Sequence, residues 1–198
     1  MKLTTLLFVF AALAWGQTLT LSGPATARPG ATIPVTLTLA SPPGTLAATQ
    51  WTVTLPSGYT ATATAGAASA AAAKTLYCKS DSTLCLTVGV NTNVYAAGVI
   101  ANYQLIVPAN ASPGQVSIPL TGVIGAALDG SSAGLSAGVP FAFAVLATTD
   151  LNGDGVTNVL DLQLMIQEIL GGPVAHDQNG DGVADVKDAQ IVARAVTP

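Results

Sequence analysis

Two twelve-residue stretches near the C-terminal end constrain this chain more than any other feature. Asp150–Asp161 reads DLNGDGVTNVLD and Asp177–Asp188 reads DQNGDGVADVKD, the second starting 27 residues after the first. In the first, oxygen-bearing side chains stand at positions 1, 3, 5, 9 and 12, namely Asp150, Asn152, Asp154, Asn158 and Asp161. The second places Asp177, Asn179, Asp181, Asp185 and Asp188 at the same positions. Position 6 is Gly155 in one and Gly182 in the other. A hard divalent cation such as Ca²⁺ takes six to eight oxygens at about 2.3–2.6 Å, and a tightly coiled loop supplies them from alternate positions. Glycine at position 6 allows the sharp turn without steric cost. Position 7 offers only its carbonyl, so Val156 and Val183 qualify as ligands despite apolar side chains. The spacing predicts one calcium ion per loop, two in all.

Each loop runs into a short amphipathic segment. After Asp161 comes LQLMIQEILGG, with Leu162, Met165, Ile166 and Ile169 on one helical face and Gly171-Gly172-Pro173 as a stop signal. After Asp188 comes AQIVARAV, with Ala189, Val192, Ala193 and Val196 on the matching face. Neither helix is long enough to stand alone, so the two are expected to bury these faces against each other. Position 12 is Asp rather than Glu, and Phe141–Thr149 before the first loop reads as strand. These are loop–helix halves, not complete helix–loop–helix hands.

Tandem DxNxDGxxxxxD loops, each followed by one short helix, resemble dockerin type I modules. The resemblance covers about Asp150–Val196 and recurs in register, which argues against chance acidic turns. An unrelated calcium-stabilised repeat is the remaining alternative. The resemblance implies a module that calcium folds and that docks onto a cohesin-type partner. Its recognition residues would fall at positions 10, 11, 17 and 18: Val159, Leu160, Ile166 and Gln167, then Val186, Lys187, Ala193 and Arg194. Familiar dockerins carry Ser or Thr at positions 10 and 11. Both copies here have valine at position 10, which implies a more apolar contact. Plain helix surface or core within the module is the competing reading of these eight residues.

Composition divides the chain. Of ten acidic residues, eight lie in Asp150–Pro198; Asp81 and Asp129 alone precede them. The expected boundaries are a β-domain over residues 17–146, a linker over 147–149 and the paired-loop module over 150–198. Half the chain is hydrophobic and 8% is charged, which excludes disorder. Alternating segments recur at Thr32–Leu39, Gln50–Leu55, Tyr59–Thr64, Leu84–Val90, Val99–Val107, Gln115–Leu120 and Val139–Val145. Between them fall turn signals such as Arg28-Pro29-Gly30, Ser41-Pro42-Pro43-Gly44, Pro56-Ser57-Gly58 and Ser112-Pro113-Gly114. This pattern predicts an all-β sandwich. Gly66–Ala73 (GAASAAAA) is compatible with a short helix or a loop, and the loop is favoured. The fold class expected for the whole chain is therefore mainly β with a small helical module after it.

The N-terminal residues read as a secretory signal peptide over residues 1–16. Met1-Lys2 is followed by the apolar run LLFVFAALAW, and Ala14-Trp15-Gly16 offers a cleavage point. A retained anchor is the alternative, although the run is short for a membrane span. No later segment has the apolarity of a span, so none is expected after cleavage. A secreted, extracellular or cell-surface location follows. Cys78 and Cys85 are then expected to form a disulfide at a hairpin tip.

The start LTLSGPATARPGATIPVTLTLA also resembles the opening of cohesin domains, which implies a jelly-roll sandwich that binds protein. The chain as a whole then reads as a non-catalytic adaptor in a cellulosome-like, polysaccharide-degrading assembly. Catalytic residues are scarce. Glycoside hydrolysis uses two carboxylates, and the β-domain offers only Asp81 and Asp129. His176, the one histidine, lies beside the second loop and reads as solvent-facing. The alternative is a carbohydrate-binding module, with Trp51, Tyr59, Tyr77, Tyr95 and Tyr103 as stacking candidates. A cohesin-like and a dockerin-like part in one molecule also allow head-to-tail self-association. Nucleic acid is excluded as a partner because no basic patch exists.

Overall fold

The computed structural model describes residues 17–40, 46–152, 154, 156–171 and 174–196. The expected signal peptide, the Ser41–Gly44 turn, Gly155, and Gly172-Pro173 of the helix stop lie outside the described residues.

Twelve strands and three helices follow one another along these residues. The chain opens with β1 (Gln17–Ser22), β2 (Thr26–Ala27), β3 (Thr32–Ala40), β4 (Ala48–Val53) and β5 (Thr60–Ala65). Helix α1 (Ala67–Ala71) precedes β6 (Thr75–Cys78), β7 (Leu84–Val88) and β8 (Gly98–Ile106). Then come β9 (Gly114–Ile118), β10 (Leu120–Ala126), β11 (Leu135–Ala137) and β12 (Phe141–Val145), and finally α2 (Val159–Ile169) and α3 (Val186–Ala195). One sheet runs β11-β1-β3-β8-β5, a second β10-β4-β7-β6, and a smaller third β2-β12-β9.

Alternation in the sequence becomes alternation of burial. Ile33, Val35, Leu37 and Leu39 of β3 point inward while their neighbours face out. Trp51 and Val53 of β4 meet them from the second sheet. The two sheets are also tied by a polar bond: Trp51 Nε1 donates to the Tyr103 hydroxyl across 2.7 Å, both groups buried. Burial pushes the Tyr103 hydroxyl up to about 12, so it stays protonated and available. A second buried chain runs from the Tyr95 hydroxyl to Thr87 Oγ1 (2.6 Å) and on to Thr49 Oγ1 (2.8 Å).

Several expectations need correcting. The run GAASAAAA is a helix over Ala67–Ala71, not a loop. Its neighbour β8 decides this. Ser69 is fully buried and its hydroxyl donates to the Ile100 carbonyl at 2.8 Å. Gly66 lies so close to Val99 that an added Cβ would meet its backbone oxygen at 2.3 Å. The expected strand Gln115–Leu120 is two strands in different sheets, β9 and β10, parted at Pro119, which has no N–H for a ladder. Strand β10 escaped the alternation pattern because its pairing shifts register between Thr121 and Ile124, at Gly122 with φ of 56°. Leu84–Val90 ends at Val88, and Val139–Val145 begins at Phe141.

Cys78 and Cys85 pair across β6 and β7 and are disulfide-bonded, at the hairpin tip as expected.

Tyr103→Phe should lower stability by about 1–3 kcal/mol, because it strands the buried indole N–H of Trp51. A shift of the denaturant midpoint without a change of slope in urea unfolding of the full chain would register it.

Candidate functional site

In both acidic loops the carboxylate at position 12 acts as a hub for backbone N–H groups. Asp161 Oδ1 accepts from Leu151 N (2.7 Å) and Asn152 N (3.1 Å), and its Oδ2 from Asn158 N (2.7 Å). Asp188 repeats this with Gln178 N (2.7 Å), Asn179 N (3.1 Å) and Asp185 N (2.8 Å). Both carboxylates are fully buried. Positions 2 and 3 are thereby drawn onto position 12, and the loop closes on itself. Backbone donation, chiefly from Asn158, holds the Asp161 carboxyl below its ordinary range.

The same carboxylates start the helices. Asn158 caps α2 by accepting from Leu160 N at 2.8 Å, and Asp161 returns the bond to the Asn158 N–H. Asp185 and Asp188 form the equivalent capping box on α3. The pattern Asn/Asp-x-x-Asp is also a local helix-start signal, which the reading of these residues as metal ligands passed over. Gly182, at position 6, has φ of 87°, and Gly180 has 79°, so the second loop uses the left-handed backbone expected there.

The remaining expected ligands line the loops. Asn152 Oδ1 accepts from Asp154 N, and Asp154 Oδ1 from Val156 N, each at 2.9 Å. In the second loop Asp177 accepts from Gly180 N and Gly182 N, both at 2.6 Å, and Asp181 from Val183 N at 3.1 Å. Among the described residues no three Asp, Glu, His or Cys side chains converge as a metal-binding group. The donor set still suits calcium: it is all oxygen, drawn from carboxylates, amides and carbonyls, and a carboxylate has about four acceptor positions. In loop two Lys187 Nζ reaches Asp181 at 3.2 Å and Asp185 at 3.5 Å. The lysine helps hold the Asp181 carboxyl below its usual value.

Of the two expected helix faces, Met165 and Val192 are the fully buried members, and α2 packs on α3. Leu162, Ile169, Ala189 and Val196 are half-buried. Ile166 and Ala193, expected on the inner face, are exposed instead, because two short helices cover only a narrow stripe of each other. All eight recognition candidates, Val159, Leu160, Ile166, Gln167, Val186, Lys187, Ala193 and Arg194, are exposed.

His176 also departs from expectation. It is half-buried, and its Nδ1 lies 2.8 Å from Glu168 Oε2. Glu168 Oε1 accepts from the backbone N–H of His176 and of Ala175. Glu168 thus staples the end of α2 to the entry of the second loop. Burial pushes its carboxyl upward, but these donors outweigh it and leave the net shift downward.

On the β-sandwich, the aromatic candidates are mostly internal. Trp51, Tyr95 and Tyr103 are buried and Tyr59 half-buried, leaving only Tyr77 exposed. The second sheet presents several apolar side chains outward. Ile124, Gln50, Leu86 and Tyr77 are cross-strand neighbours in one row, flanked by Leu84 and Val88. Leu84, Leu86, Val88, Tyr77 and Ile124 are all exposed. Asp81 sits at the disulfide tip, where the Thr83 hydroxyl and N–H, with Lys79, hold it at about 2. Asp129 is held down by Ser131 in the same manner.

Glu168→Gln should cost about 1–3 kcal/mol at neutral pH. The folded-state pKa of Glu168 is depressed, so its stabilisation is full above the ordinary value of 4.5 and fades as pH falls toward the lower folded value. Melting wild type and variant from pH 7 to pH 3 should therefore show their difference shrinking below about pH 4.5.

Residues 148–197 match a family model described as the dockerin type I domain. Among solved structures, a non-cellulosomal cohesin from Archaeoglobus fulgidus superposes with a TM-score of 0.53 at 13% identity, covering 67% of this chain and 92% of that one. The third ScaB cohesin of R. flavefaciens, solved in complex with a group 1 dockerin, gives 0.52 at 14% identity, covering 69% of this chain and 99% of that one. At such identities the likeness establishes the fold alone. No curated protein matches the sequence. The chain thus carries a C-terminal dockerin type I region behind a β-sandwich with the fold of cohesin modules.

Proposed function

We propose that this chain is a non-catalytic attachment protein whose C-terminal module binds two calcium ions and docks onto a cohesin-type domain. Asp150, Asn152, Asp154, Asn158 and Asp161, with the Val156 carbonyl, would hold one ion. Asp177, Asn179, Asp181, Asp185 and Asp188, with the Val183 carbonyl, would hold the other. Each ion would neutralise carboxylates that otherwise repel at close range. The module would be folded or tightened by its metal.

The observation that carries the docking half of this reading is the exposure of Val159, Leu160, Ile166 and Val186 on helices that their own loops anchor. A module with so small an interior leaves these apolar side chains in water, which marks a surface made to be covered. The outer row Ile124–Leu86–Tyr77, with Leu84 and Val88, supports a second protein-binding surface on the sandwich. Surfaces of both kinds in one chain allow copies to associate head to tail.

A non-enzymatic role is supported by the state of the two carboxylates in the sandwich. Asp81 and Asp129 both have lowered pKa values and are committed to their own turns, whereas glycoside hydrolysis needs a carboxyl raised enough to donate a proton. The disulfide supports an exported setting, extracellular or at the cell surface. A polysaccharide-degrading assembly of cellulosome type is the setting we assign to it.

Chelation by EDTA should lower the melting temperature and the helical circular dichroism of the C-terminal module; an unchanged melt would remove calcium from the proposal. Capture on immobilised cohesin domains should require calcium and should fall roughly tenfold or more for Ile166→Asp. Calcium-independent capture, or capture unaffected by that change, would remove the docking surface. Loop two has four carboxylates against three in loop one, but Lys187 offsets one of them. Lys187→Met should therefore tighten calcium binding at loop two, as read by calorimetric titration.

A further inference from the structure

The two loops differ at position 2, and the difference reaches the sandwich. In loop one this residue is Leu151, half-buried. In loop two it is Gln178, fully buried although polar. Its backbone N–H closes the loop on Asp188 at 2.7 Å. Its side chain leaves the module: Nε2 donates to the Thr148 carbonyl at 2.9 Å, and Oε1 accepts from Arg28 Nη1 at 3.2 Å. The same Arg28 nitrogen donates to the Ala147 carbonyl at 2.7 Å.

Arg28 is held in place by the sandwich. It follows β2, which pairs in parallel with β12 through Ala144↔Thr26 and Val145↔Ala27. Leu146 N then donates to the Ala27 carbonyl at 2.8 Å, so the chain leaving β12 runs beside the arginine. Gly180 packs on Leu146, where an added Cβ would come within 3.1 Å of Cδ2. Residues 147–149 are thus gripped at Ala147 and Thr148 between a sandwich arginine and a loop glutamine.

We infer that Arg28 and Gln178 form a clamp that fixes the C-terminal module on the sandwich and couples calcium binding at loop two to that orientation. The inference rests on the calcium reading of the loops. Gln178 stands between two expected ligands, Asp177 and Asn179, so ordering them around an ion orders the glutamine that meets Arg28. Coupling is reciprocal: what the ion does for the clamp, the clamp does for the ion. Loop one has leucine at this position and so sends no polar side chain to the clamp; it adjoins Thr148 through the Asp150 carbonyl, which accepts from the Thr148 hydroxyl at 2.9 Å. The two loops are therefore unequal: loop two meets the sandwich arginine through a buried side chain, whereas loop one adjoins the clamp through the linker.

The test uses the full chain with Arg28→Ala and with Gln178→Leu, which copies the residue of loop one. Calorimetric calcium titration should show one of two binding events weakened roughly fivefold or more and the other unchanged. Arg28→Lys, which keeps a donor, should restore part of the loss. Small-angle scattering of the calcium-loaded variants should show a larger radius of gyration than wild type. Two normal binding events with unchanged affinities in both variants would overturn the clamp and leave the calcium reading standing. No calcium uptake by wild type would overturn the calcium reading and the coupling with it. Equal weakening of both events would also overturn the inference, since it would mean general destabilisation.

Discussion

Each helix of the C-terminal module begins on a buried carboxylate that also closes the loop before it. Asp161 and Asp188 gather backbone N–H groups from positions 2, 3 and 9 of their loops and complete the capping box of the following helix. A buried charge is tolerable only when fully hydrogen-bonded, and here three N–H groups do this in each loop. Loop shape, helix start and helix direction therefore share one group. Because the helices are so short, their placement depends on these anchors more than on the apolar packing of α2 on α3. What remains exposed on α2 and α3, and hence available to a partner, follows from that placement.

The sandwich solves a different problem. It has almost no charge with which to organise itself, so its interior polar groups are satisfied in pairs: Trp51 with Tyr103, Tyr95 with Thr87, Thr87 with Thr49. These bonds hold Trp51, Tyr95 and Tyr103 inside the sandwich. The outer face of the second sheet carries Leu84, Leu86, Tyr77 and Ile124 in water.

Much of this was legible beforehand because the relevant signals are local. The twelve-residue spacing, the glycine at position 6 and the period-2 strands each depend on neighbours within a few residues. Failures occurred where a distant neighbour decided. The alanine run Gly66–Ala73 is a helix because Ser69 and Gly66 fit against β8. The strand through Pro119 divides because its two halves pair with different sheets. Ile166 and Ala193 carry the right period for the module core, yet the narrow contact between two short helices leaves them outside. His176 read as a free loop residue because Glu168, eight positions earlier, gave no sign that it would reach back.

The sequence by itself determined the chemistry of this protein: two oxygen-rich loops, each opening a short helix, behind a chain of alternating strands with hardly a carboxylate among them. Those are properties of residue type and spacing, and no folding is needed to read them. Tertiary structure alone decided how the loops are held. Arg28 and Gln178 are 150 residues apart, and Leu151 and Gln178 occupy the same place in two matched repeats. The pairing of β2 with β12 brings the arginine beside the linker, where it meets the glutamine of the second loop. Loops alike as sequences become unlike in their contacts, because the second sends a buried glutamine to the sandwich arginine.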